Sequence, residues 1–410
     1  MISGLLIASA LLFSFELPAQ TVPAIQWDKT YGGNGFENLI SLKQTLNGGY
    51  VIGGISDSGI SGDKSQVSRG NLDYWIINLD GNGNKIWDKT FGGSEEDILY
   101  SLQQTSDGGF ILGGGSKSGI SGDKSESNRG TIFTYDVWII KIDASGNKLW
   151  DKTYGGSSDD GIVALHQTSD GGYILGCQSD SPLDGDKTQA SNGWADFWIV
   201  KLDSNGNKVW DKTIGGNGND ILWSLQQTTD GGYIVAGESE SDLSGDKSEN
   251  KKGYSDFWLV KLDANGNKIW DKTIGGNLED MLPFVSQTAD GGFIVAGTSR
   301  SDISGDKSEP NKGTLSFATD DFWVLKTDAN GNVLWDRTIG GNNNDIVYSV
   351  HQTADGGYLL GGNSHSGISG DKSENNQNFD FWIVKLSNNG SKLWDRTIGG
   401  SSFDYLWALE

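Results

Sequence analysis

The chain has 410 residues, a net charge of −23 and a single cysteine. That charge argues against nucleic acid and anionic membrane surfaces as partners, and one cysteine rules out an intramolecular disulfide. Hydrophobic residues make up only 35%, but 16 tryptophans and 61 glycines point to short strands, tight turns and a core rich in aromatic rings.

The N-terminal stretch is apolar from Ile2 to Phe15. It is too short for a membrane span and about the length of a signal-peptide core. Lys29 is the first basic residue, so the usual positive start is missing. Residues 1–20 are read as a signal peptide cleaved near Ala19 or Gln20; the other reading is the frayed start of a fragment. Nothing later in the chain has the pattern of a membrane span.

From residue 24 onward the sequence repeats. WD[K/R]T begins at Trp27, Trp87, Trp150, Trp210, Trp270, Trp335 and Trp394, at intervals of 60, 63, 60, 60, 65 and 59 residues. Another tryptophan precedes the last six by twelve residues each time: Trp75, Trp138, Trp198, Trp258, Trp323 and Trp382. The markers [N/D]GG[Y/F] and GDK[S/T] recur six times each.

Residues 217–276 show one unit. DILWSLQQT (220–228) alternates and ends at a TDGG turn. YIVAGES (233–239) is a second strand, followed by a long polar loop. DFWLVKLD (256–263) is a third, and ANGN is a hairpin turn whose Asn and Gly tolerate positive φ. KIWDKT is the fourth strand, and IGGN leads to the next unit. Cys177 lies in the strand-like run GYILGCQS as a small buried hydrophobe.

Four short antiparallel strands per unit, apolar on both faces, describe a β-propeller blade. An isolated sheet of this size could not bury both faces alone. The predicted fold is therefore an all-β propeller with six complete blades, spanning about 36–93 to 344–400, within a single domain over residues 21–410. A seventh blade would be partial, with an outer strand from AIQWDKTYGG (24–33) and an inner strand from FDYLWALE (403–410). The sequence then reads as a truncated seven-bladed propeller. A six-bladed ring with one redundant terminal strand is the alternative.

W[I/L]VKLDxNGNKxWDKT and DGGY resemble the β-propeller repeats of secreted and surface proteins of the Bacteroidetes, often exported by type IX secretion. The resemblance covers about residues 24–410 and implies a secreted or cell-surface location. The C-terminal sorting domain usual in such proteins is missing, which suggests a missing C-terminus or another route. The hairpin from Asp263 to Trp270 also resembles the tryptophan motif of quinoprotein-like propellers, with Asp263 to Gly266 one residue shorter. The resemblance implies a structural role, locking neighbouring blades. No vicinal cysteine pair and no distinctive calcium-binding Asp, Glu and Asn accompany it.

Asp80, Asp143, Asp203, Asp263 and Asp328, with Ser387 in the sixth copy, head the NGN turns. Asp and Asn alternate as in a calcium loop, but Ile274 stands where the twelfth-position Glu would be, and a hairpin turn accounts for the pattern. In the GDK loops Asp242, Ser244 and Asp246 alternate, as do Asp302, Ser304 and Asp306. These could hold Ca²⁺, the one cofactor the sequence suggests, or simply bond nearby backbone.

The inner strand carries one variable polar position: Lys43, Gln103, His166, Gln226, Ser286 and His351. The following residue is always glutamine (Gln44, Gln104, Gln167, Gln227, Gln287, Gln352), as expected of a structural residue that bonds across blades or lines the central channel. The variable residues are either solvated channel positions or part of a small-ligand or metal site at the channel mouth. Trp194, Trp223 and Trp407 stand outside the tryptophan repeat, and Trp194 falls in a loop suited to protein or carbohydrate contact.

Three histidines and one cysteine among near-identical units give no nucleophilic triad. The sequence reads as a monomeric, secreted or surface-exposed binding or scaffold module for a protein or glycan, without catalysis. The alternatives are a hydrolase or lyase using acids at the channel mouth, and a structural passenger in a larger adhesin.

Overall fold

A computed structural model describes residues 22–313 and 319–410. The segment read as a signal peptide lies outside them, as does most of the TLSFAT insertion at 314–319. Among the described residues every regular element is a β-strand. The strands form six four-stranded antiparallel sheets, each in simple sequential order. These are the blades of a six-bladed β-propeller: Glu37–Phe91, Asp97–Tyr154, Asp160–Ile214, Asp220–Ile274, Asp280–Ile339 and Asp345–Ile398. Blades one to three belong to one compact unit, Ile25–Ile214, and blades four to six to another, Gly215–Leu409.

Blade four shows why the unit folds this way. Its strands are Asp220–Gln227, Tyr233–Ser239, Asp256–Leu262 and Lys268–Ile274. The two middle strands are buried on both faces because each blade is stacked against another, which explains their unbroken apolar runs. The inner strand has a β-bulge between Leu222 and Ser224, a feature the alternating pattern did not reveal.

The twelve-residue tryptophan spacing has a hydrogen bond at its root. Trp258 is fully buried, and its Nε1 donates to Asp271 Oδ2 at 3.1 Å. Asp271 also accepts from the Ser248 backbone N–H at 2.8 Å and from Lys268 Nζ at 2.8 Å. The WD aspartate thus ties third strand, outer strand and GDK loop together. The same indole bond recurs in the other blades at 3.0–3.2 Å.

The outer-strand tryptophan has a different task. Trp270 is opposite Lys261 in the ladder, as the hairpin length implies. Its ring packs edge-on against Phe293 of blade five at 6.0 Å. Lys261 Nζ instead pairs with Asp230 at 2.9 Å. Trp87, Trp150 and Trp335 repeat the outward contact with Phe110, Tyr173 and Tyr358 of the following blade.

Segments 24–33 and 403–410 do not form the two extra strands expected, because neither has a ladder partner. They still occupy strand-like places. Trp27 packs on Tyr50 of blade one at 5.7 Å, as an outer-strand tryptophan would. In the other unit the Asp404 N–H donates to Phe379 O at 2.8 Å, just as Asp280 N–H donates to Ser255 O at 2.8 Å where blade five joins blade four.

Candidate functional site

The repeated loops are largely committed to holding the blades together. In the GDK loop of blade four, Ser244 Oγ accepts from the Asn217 N–H at 2.9 Å, and Asp246 Oδ2 accepts from the Gly215 N–H at 3.2 Å. Ser304 and Asp306 repeat this with Asn277 at 3.0 Å and Gly275 at 3.0 Å. Asp242 and Asp302 are exposed, and each backbone carbonyl accepts from the serine two residues on. No cluster of three or more ligating side chains occurs among the described residues. In the NGN turn Asp263 Oδ1 accepts from the backbone N–H groups of Asn265 and Asn267, both at 2.8 Å, so the carboxylate caps its own hairpin.

At the inner strand the invariant glutamine is a blade-to-blade bond. Gln104, Gln167, Gln287 and Gln352 each accept through Oε1 from a turn N–H of the preceding blade, at 2.7–2.8 Å. At the variable position Gln103 and Gln226 accept from the following strand at 2.6 and 2.7 Å. Lys43 pairs with Glu410 at 2.6 Å. His351 Nε2 lies 2.9 Å from Ser349 Oγ and 3.1 Å from Leu409 O. His166 and Ser286 are half-buried. Within each unit the six positions occupy equivalent places on inner strands. Gln103 and Gln226 share one pattern, while Lys43 and His351 each bond differently.

Larger differences lie where the second strand ends and the next inner strand begins, in positions that sequence reasoning passed over. In the first unit Lys117 pairs with Glu96 at 3.0 Å and lies 4.3 Å from the Tyr135 ring centre. In the second, Arg300 bridges Glu279 and Asp320, the latter at 2.8 Å. At the corresponding positions of blade six stand Asn344, His365 and Phe379, and Phe403 follows where a further inner strand would begin. The His365 ring is 4.4 Å from Phe379 and 6.3 Å from Phe403. Burial lowers the His365 pKa, against the pull of Asp380, which favours the neutral ring. The signal was present: these columns change residue class from blade to blade while their neighbours do not.

Blade five carries the sharpest departure. Leu282 has φ 56°, the sole positive-φ residue other than glycine among the described residues. Its N–H donates to Glu238 Oε2 at 3.2 Å. Burial, with help from Glu240 and Glu279, raises the Glu238 pKa. Trp223 lies beside this carboxylate. Trp194, in the other unit, is 79% exposed and stands out from its loop.

The class defined here is a β-propeller repeat protein with blade-specific side chains at its strand ends. No family model matches the chain. It is 24% identical over 239 residues to the regulatory protein FlaEY of Caulobacter vibrioides, covering 55% of this chain but only 24% of that protein. The chain therefore spans about a quarter of the length of that curated relative. Similar solved structures include a protein of unknown function from Dyadobacter fermentans, 11% identical with a TM-score of 0.44, covering 87% of this chain and 96% of that one. Kuenenia stuttgartiensis hydrazine synthase is 11% identical with a TM-score of 0.48, covering 89% and 80%. The Neurospora crassa Pan2 WD40 domain is 11% identical with a TM-score of 0.42, covering 80% and 86%.

Proposed function

We infer that the chain is a secreted or surface-exposed binding or scaffold module that contacts a protein or glycan through its blade-specific positions. A location outside the cell follows from the apolar N-terminal stretch and the resemblance to exported Bacteroidetes repeats. The observation carrying the binding reading is the contrast among three equivalent clusters. One frame holds Glu96, Lys117 and Tyr135, then Glu279, Arg300 and Asp320, then Asn344, His365 and Phe379. Stacking the blades does not require such variety, whereas ligand contacts made by particular blades do.

Panels of immobilised glycans and purified surface proteins, probed with the intact chain and with Arg300→Ala and Phe403→Ala variants, test this reading. Loss of a captured ligand in either folded variant supports it. Binding that both variants leave unchanged overturns it.

A hydrolase or lyase is the second reading, favoured by one observation: Glu238 is half-buried, holds its proton more tightly than usual and abuts the strained Leu282. Turnover of a glycan that Glu238→Gln abolishes would establish it.

A further inference from the structure

We propose that residues 403–407 and their blade-six neighbours form a carbohydrate-binding platform. This rests on the binding-module reading and names its ligand class. The segment is extended, and its side chains alternate. Asp404 and Leu406 point inward and are buried, while Phe403, Tyr405 and Trp407 point outward at 53%, 45% and 42% exposure. The outward rings are nearly parallel. Phe403 and Tyr405 are 6.3 Å apart at 11°, and Tyr405 and Trp407 are 6.4 Å apart at 26°. Tyr348 of the blade-six inner strand supports Trp407 at 5.4 Å, and Phe379 supports Tyr405 edge-on at 5.3 Å. His365 closes the row against Phe379, and its backbone N–H is held by Asn344 O at 2.8 Å.

The occupant follows from the chemistry of this row. Its rings are held by one another and by blade six, so little side-chain freedom is lost on binding. Rings with one apolar face and a polar tip suit ligands that are apolar on one side and hydroxylated at the edge, as pyranose rings are. Among the described residues no lysine or arginine stacks on these rings, and the chain carries −23 overall, so an anionic ligand would meet repulsion and no counter-charge. A neutral sugar chain meets neither. The row is a shallow strip on an extended segment, which fits a linear chain better than a compact molecule. At the position equivalent to Phe403, blades two and five carry Glu96 and Glu279 in ion pairs, and at that of Tyr405 they carry Ile98 and Met281, so the repeat alone does not supply the row's first two rings.

The test titrates the intact protein with cello-, xylo-, malto- and chito-hexaoses, read by tryptophan fluorescence and calorimetry. At least one should bind. Trp407→Ala and Tyr405→Ala should each weaken binding about tenfold, Trp407→Phe should retain most of it, and Leu149→Ala, at an exposed outer-strand position, should leave it unchanged. Far-UV dichroism confirms that each variant is folded. Absence of binding by all four sugars at millimolar concentration overturns the carbohydrate assignment. So does binding that ignores the Trp407 and Tyr405 changes. If the sugars fail while Trp407→Ala abolishes capture of a purified protein ligand, the binding-module reading stands and the carbohydrate assignment falls.

Discussion

Asp136 and Asp160 converge on one glycine from two adjacent blades, and Oδ1 of each meets no hydrogen-bond donor. A Cβ on Gly155 would lie 2.5 Å from Asp136 Oδ1 and 2.9 Å from Asp160 Oδ2. Both carboxyls are fully buried. Burial, then the Asp160 charge, pushes the Asp136 pKa up to about 7, so one proton is retained between them near neutrality. The arrangement recurs: Asp97 is pushed to about 6 and Asp280 to about 6, each by burial with a like-charged aspartate adding to it, and Asp345 to about 6 by burial. Asp321, beside Asp345, is pushed to about 8.

These carboxyls bind protons more tightly folded than unfolded. Their stabilising contribution is complete below about pH 4 and is lost as pH rises through 6 to 8. Two other sets act outside that window. Burial would raise Asp107, Asp170, Asp230 and Asp355, but hydrogen bonds from threonine and lysine hold them at about 2, so their contribution is lost only below about pH 4. Burial lowers Lys124, Lys247 and Lys307 to about 8, so raising the pH restores stability only above that value. The melting temperature should therefore fall from pH 4.5 to pH 8, and Asp136→Asn should flatten the slope by giving Asp160 a permanent donor. Calorimetry across this range checks it; a rising profile would refute it.

Gly155→Ala should destabilise the fold by about 1–3 kcal/mol, because the added methyl lands among carboxylate oxygens of two blades that cannot withdraw independently. Gly161→Ala, where a Cβ meets open space, should cost far less. Urea denaturation of the two variants gives the comparison.

Lys251→Asn should stabilise the chain by about 1 kcal/mol. In three blades the buried GDK lysine bonds a Ser or Asn four residues on: Lys64 to Ser68 at 2.7 Å, Lys187 to Ser191 at 2.7 Å, Lys307 to Asn311 at 2.9 Å. In blade four that position is Lys251, which offers no acceptor, and Lys247 Nζ has no hydrogen bond. It retains the Trp258 ring, 5.3 Å away. A higher melting temperature for the variant is the expected result.

Millimolar calcium should leave the melting temperature unchanged. Ser244, Asp246, Ser304 and Asp306 already accept backbone N–H groups, and ligation would have to break those bonds. A rise of several degrees would mean that the GDK loops hold the ion.

The blades were legible in the sequence because Trp258, Gly266 and Trp270 recur with fixed spacing, and spacing encodes ladder register directly. The hairpin turn and the inter-blade glutamines were legible for the same reason. Three features were not. The bulge at the inner strand leaves its alternation almost intact. The carboxyl pair joins Asp136 to Asp160 across two blades, and nothing in the local pattern relates them. The aromatic row uses Phe403 and Tyr405, which are ordinary strand residues until the fold shows which side they face. The carboxyl pair and the aromatic row depend on a neighbour from another blade or on side-chain direction, whereas the turn and register depend on one hairpin, and the glutamines show because the same residue recurs in every copy.

The outer-strand tryptophans also give the molecule a direction. Within each unit Trp87, Trp150, Trp270 and Trp335 lean on the blade that follows, and none of these contacts is returned by the same residue type from the other side. Neighbouring blades are therefore coupled through an asymmetric joint, as in a one-dimensional chain of linked units. A lesion at one such tryptophan should loosen the successor blade before the predecessor, so damage would spread along the sequence in one sense only.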